Sequence, residues 1–75
     1  VTIYSNEHSI YLRNNGDNQM DGEFIVYNIM GQRILSQKVS DLTFDKIDLY
    51  VNEPGYFIVK FSTDSGVYSQ KVFIK

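Results

Sequence analysis

The sequence predicts an all-β domain, a small immunoglobulin-like antiparallel β-sandwich of about seven strands. Three observations lead there. Helix periodicity is almost absent from the 75 residues. β-branched and aromatic residues come instead in short runs divided by Asn, Asp and Gly clusters, the pattern of strands and turns. Those turn clusters recur at short intervals along the whole chain, with no linker, low-complexity segment or internal repeat between them.

The elements follow in order. Val1 to Tyr4 reads as a first short strand with Val1 and Ile3 on one side. Ser9 to Arg13 alternates, sending Ile10 and Leu12 one way and Ser9, Tyr11 and Arg13 the other. Asn14 to Gly22 is a polar loop. Glu23 to Ile29 is apolar on both faces, as a central strand covered on both sides would be. Met30-Gly31 makes a hairpin turn, with Gly31 free to take positive φ, and Arg33 to Val39 returns. Thr43 to Val51 sets Ile47, Leu49 and Val51 against Lys46, Asp48 and Tyr50.

Asn52-Glu53-Pro54-Gly55 is a turn, because Pro presets φ and Gly relieves strain. Tyr56 to Thr63 then points Phe57, Val59 and Phe61 inward, with Lys60 and Ser62 outward. Asp64-Ser65-Gly66 reverses the chain. Val67 to Lys75 closes the fold, with Val72 and Ile74 on the core side and Lys71 and Lys75 opposite. Most domains let their last residues fray. A strand that runs to Lys75 implies that the end of the chain belongs to what the module does.

Composition narrows the class. Residues 1–75 make one domain, and a chain this short buries only ~60% of its unfolded surface. A 43% hydrophobic and 15% aromatic content is still enough to fold it. The net charge of −2, from 7 basic and 9 acidic side chains, argues against a nucleic-acid partner, which calls for a basic stripe. Without Cys there is no disulfide framework and no thiolate metal site. No apolar run approaches a membrane span, so no membrane insertion is expected. The start at Val1 rather than Met points to a piece of a larger protein.

Few residues suggest catalysis. His8 lies between Glu7 and Ser9, but adjacent side chains in a turn diverge and cannot assemble a triad. The chain is therefore not read as an enzyme, and no cofactor is assigned. Asp17 to Gly22 resembles the first half of a calcium loop. The closing Glu of such a loop would fall at Asn28, inside a strand, so the plainer reading is a solvated loop. Tyr11, Tyr27, Tyr50, Tyr56 and Tyr68 could line a sugar-binding face, although strand tyrosines more often pack half-buried with the hydroxyl in water. Lys71, Val72, Phe73, Ile74 and Lys75 read either as an edge strand whose lysines block unwanted pairing or as an element recognised by a partner.

Three blocks carry a resemblance. IVYNIMGQRI (Ile25 to Ile34) is similar to a strand–turn–strand segment of the C-terminal sorting domains exported by the type IX secretion system of Bacteroidetes. PGYFIVKFST (Pro54 to Thr63) resembles that family's Gly-aromatic segment before an apolar strand. YSQKVFIK (Tyr68 to Lys75) resembles its closing strand. The order and spacing of the blocks agree with the family. Phe57 stands where the family commonly has Tyr, and a Pro-Asn-Pro opening common in the family is absent.

The resemblance implies a sorting signal behind an N-terminal passenger. It would fold in the periplasm, be recognised by the outer-membrane translocon, and be removed at the cell surface by a sortase-like peptidase. The passenger would then be attached to lipopolysaccharide or released. On this reading Gly55, Tyr56 and Phe57 are fold determinants, and Lys71 to Lys75 form the recognition element, for which strand addition is one mode of docking. The other reading is an immunoglobulin-like accessory module of a cell-surface hydrolase, binding carbohydrate or packing on the enzyme, which predicts coplanar exposed tyrosines on one sheet. A small core with an edge strand allows either a monomer or a strand-exchanged dimer.

Overall fold

Seven strands and no helix make up the described part of the computed structural model, which covers residues 1–16 and 19–75. They are β1 (Thr2–Asn6), β2 (Ser9–Arg13), β3 (Met20–Asn28), β4 (Arg33–Leu42), β5 (Phe44–Asp48), β6 (Gly55–Thr63) and β7 (Gly66–Ile74). β1, β2 and β5 form a three-stranded sheet in the order β1-β2-β5. The other four form a sheet in the order β4-β3-β6-β7, and every pairing is antiparallel. This is an immunoglobulin-like sandwich in which the fourth strand pairs with the third rather than the fifth.

The period-2 pattern places the core. Ile10, Leu12, Phe24, Val26, Val59 and Phe61 are buried between the sheets with essentially no exposure. Phe57, Val72 and Ile74 join the same cluster, as alternation along the last two strands predicts. Each such side chain contributes roughly 1.5–3 kcal/mol on burial.

Boundaries shift where tertiary contacts outweigh local pattern. β3 begins at Met20, inside the expected loop, because Met20 pairs with Leu42 and packs against the core. Ile29 is not in a strand; it stands 75% exposed beside Met30 at a three-residue turn. Asn28 ties that turn, its Oδ1 accepting from the Met30 N–H at 3.0 Å and the Gln32 N–H at 2.9 Å. The Gly31 N–H donates to the Asn28 carbonyl, and Gly31 takes φ 87°, the left-handed conformation that closes a three-residue hairpin loop.

Burial departs from expectation at two positions. β3 is central in its sheet, but only one of its faces meets the other layer. Ile25 lies on the outer face and is still only 5% exposed, although it is no part of the core cluster. It lies between two strands there, with Ser36 on β4 and Lys60 on β6 as its registered neighbours. Ser9 keeps the face opposite Ile10, across from Asp48, but is buried there rather than exposed, and its hydroxyl donates to Asp48 Oδ1 at 2.7 Å.

One close approach governs where β3 can sit. A Cβ on Gly22 would stand 2.5 Å from the Ser62 carbonyl oxygen and 2.8 Å from the Phe61 ring. Only glycine lets β3 lie this near to β6.

Candidate recognition surface

The closing hairpin collects the residues singled out in the sequence. Gly55 pairs with Ile74, Tyr56 with Phe73, Phe57 with Val72, and Ile58 with Lys71, four consecutive rungs at one end of β6–β7. Alternation then sorts them. Phe57, Val72 and Ile74 face the core, while Tyr56, Lys71 and Phe73 stand on the outer face. Tyr56 is 53% exposed and Phe73 43% exposed. Their rings meet edge to face, 5.1 Å apart at 69°. The Lys71 ammonium sits 4.6 Å from the Tyr56 ring centroid, within cation–π range.

Gly55 stands apart from this grouping. Its φ is not left-handed and a Cβ there would meet open space, so neither strain nor crowding calls for glycine. Phe57 is buried, and an aromatic ring there serves packing.

The last residues are held by the first hairpin, a contact with no local signal in the sequence. The Ser5 hydroxyl donates to the Phe73 carbonyl at 2.9 Å. The Lys75 N–H donates to the Glu7 carbonyl at 3.0 Å. Both bonds leave β7 on the side away from β6. Backbone groups two residues apart point the same way, so Val67, Ser69 and Lys71 also face this edge. The Lys71 carbonyl there accepts from Gln70 Nε2 at 3.2 Å. β1 and the turn after it thus close this edge at Phe73 and Lys75.

The β1–β2 turn also grips β5. The Leu49 N–H donates to the His8 carbonyl at 2.7 Å, and the His8 ring stacks on Tyr50 at 4.7 Å. The Ser9 hydroxyl bond is the main influence holding the Asp48 carboxyl below its ordinary range; desolvation opposes it, and the charges of Lys46 and His8 assist it. Lys46 Nζ lies 3.9 Å from Asp48.

The other candidates spread out. Tyr4 and Tyr11 stack on each other at 4.9 Å on the outer face of the three-stranded sheet, with Phe44 tilted against Tyr11. Tyr27 and Tyr56 stand on the opposite sheet, and Tyr68 packs against the core. The calcium-like run lies partly at Asp17 and Asn18, outside the described residues. Within its described part, Asp21 Oδ1 accepts from the Asp41 N–H at 2.8 Å. A shallow polar groove runs beside it, lined by Asp21, Thr63 and Asp64 among others.

Two antiparallel sheets of three and four strands packed on one core define the class of small immunoglobulin-like β-sandwich domains. The family of secretion system C-terminal sorting domains matches residues 2–75, and the chain belongs to that family. It is thus a sorting signal of type IX secretion, a domain carried behind an N-terminal passenger and exported for secretion or surface attachment. No curated protein and no solved structure matches it.

Proposed function

We propose that the closing hairpin is the address read by the outer-membrane translocon, and that a sortase-like peptidase then removes the domain from its passenger at the cell surface. The transit runs through the periplasm, where the sandwich folds before recognition. The observation carrying this reading is the convergence on four adjacent rungs of Gly55, Tyr56 and Phe57 with Lys71, Val72, Phe73 and Ile74, and Lys75 one residue beyond. Phe57, Val72 and Ile74 supply the fold; Tyr56, Lys71 and Phe73 supply the surface that a partner meets.

The hydrogen bonds from Ser5 and to Glu7 bear on the mechanism. They occupy the β7 edge at Phe73 and Lys75. An added strand on this edge would have to displace β1 there. Recognition through side chains needs no such displacement.

A reporter passenger fused ahead of this domain tests the reading in cells with a working type IX system. Deleting Lys71 to Lys75 should leave the reporter in the periplasm. That deletion also strips Val72 and Ile74 from the core, so Lys71→Ser and Lys75→Ser are measured alongside it. Undiminished surface delivery of the deletion variant would sink the proposal.

A further inference from the structure

We propose that the outer face of the four-stranded sheet, at the end shared by the β3–β4 turn and the end of β7, docks an acidic protein. Tyr56, Phe73 and Ile34 would enter an apolar recess on that partner, and Arg33, Lys60 and Lys71 would meet carboxylates around it. The inference rests on the sorting reading and names the face and the partner chemistry of that recognition.

Apolar exposure is concentrated here. Ile29, Met30, Ile34, Tyr56 and Phe73 are all exposed large hydrophobics, and the register places them at one end of one sheet. Arg33 and Ile34 share this face because a bulge opposes both to Tyr27. The fold does not need these side chains outside, since the core lies on the other face of each strand.

Charge is concentrated as well. The chain carries a net charge of −2, yet Arg33, Lys38, Lys60 and Lys71, four of its 7 basic side chains, fall on this face. The acids of this sheet, Glu23 and Asp21 on β3 and Asp41 on β4, lie toward its other end, where Glu23 accepts from the Ser36 hydroxyl at 2.9 Å and Asp21 from the Asp41 N–H at 2.8 Å. A basic, aromatic patch on an acidic protein steers toward a negative surface and supplies the side-chain types that dominate protein interfaces.

The same observations decide among occupants. A second copy presenting this face would repel it. The outer face of the three-stranded sheet mixes Arg13 and Lys46 with Asp48, so it offers no acidic counterpart. A saccharide stacks on open ring faces, but here the rings lie at 69° and Lys71 covers Tyr56. Ile34 and Phe73 present no hydrogen-bonding group to sugar hydroxyls.

The test uses the passenger–domain fusion in secreting cells. One variant carries Arg33→Glu, Lys60→Glu and Lys71→Glu; a second carries Tyr56→Ser and Phe73→Ser. A control on the opposite face carries Tyr4→Ser, Phe44→Ser and Lys46→Glu. Surface delivery should fall about tenfold or more in the first two and less than about twofold in the control. Thermal unfolding of the purified fusions checks that each variant folds. The milder Arg33→Gln, Lys60→Gln and Lys71→Gln set, with charge removed rather than reversed, should give an intermediate loss.

A photo-cross-linking phenylalanine analogue at position 73 should yield a discrete protease-sensitive adduct that the charge-reversed variant lacks, and the same probe at position 4 should not. Normal delivery of both face variants would overturn the docking face while leaving the sorting reading intact. Equal loss in the control would overturn it too. A protease-resistant, periodate-sensitive adduct would replace the protein partner with a saccharide. If the unaltered fusion is not delivered, the sorting reading fails and this inference fails with it.

Discussion

The two hairpins that carry the family blocks are built on different constraints. β3–β4 is dictated by the fold. Gly22 admits the β6 backbone, Asn28 ties the turn, and Gly31 takes a left-handed φ. In β6–β7 the inward side chains are equally constrained, but the outward ones are not. Gly55 meets no steric demand, and the Tyr56 ring meets Phe73 and Lys71 on the outer face. Residues kept for folding can be explained from inside the molecule. Those on the outer face of β6–β7 have no such internal explanation, and they are the residues we propose a partner meets.

Substitutions can break or sharpen that contrast. The largest effect is expected at Gly22→Ala. The new methyl would collide with the Ser62 carbonyl and the fully buried Phe61 ring, costing about 2–3 kcal/mol. That is a large part of the roughly 4–11 kcal/mol expected for a chain of this length. Chemical denaturation of purified protein measures it, and a cost below about 0.5 kcal/mol would show that the two strands can separate freely.

A smaller loss follows from Asn28→Ala. It removes the acceptor for two turn N–H groups and the donor to Gln32 Oε1. The site is solvent-accessible, so water replaces part of what is lost, and about 1–2 kcal/mol is expected. Hydrogen exchange at the Met30 and Gln32 amides should accelerate before the rest of the sheet is affected.

The smallest effect is expected at Gly55→Ala. With open space for the Cβ and no left-handed φ, stability should change by less than about 0.5 kcal/mol. If Gly55→Ala matched Gly22→Ala in cost, the contrast between the hairpins would be wrong.

Much of the fold was legible along the chain. Alternation identified Ile10, Leu12, Phe57, Val59, Phe61, Val72 and Ile74 as inward, and all are buried. The Gly31 turn was visible because positive φ has a residue signature. Pairing between distant segments left no such trace. Gly22 reads as one more loop glycine until Ser62 is set beside it, 40 residues later in sequence. Ile29 looks like a strand residue until the Asn28 carbonyl closes the turn onto Gly31. Ser9 looks like a surface serine until Asp48 arrives across the sheet.

The candidate surface divides in the same way. The Tyr56, Lys71 and Phe73 side chains could be placed on an outer face from alternation alone. Their partners could not. Ile34 joins the patch through a bulge, and Ser5 and Glu7 reach Phe73 and Lys75 from the opposite end of the chain.

By itself, then, the sequence determined the strands, their inward faces and the family blocks, because these depend on neighbours one to four residues away. Tertiary structure alone decided which edges are closed, where β3 must be glycine, and how the basic and aromatic side chains gather on one face. Each of those rests on a meeting of segments far apart in the chain, and only the packed sheets bring them within reach.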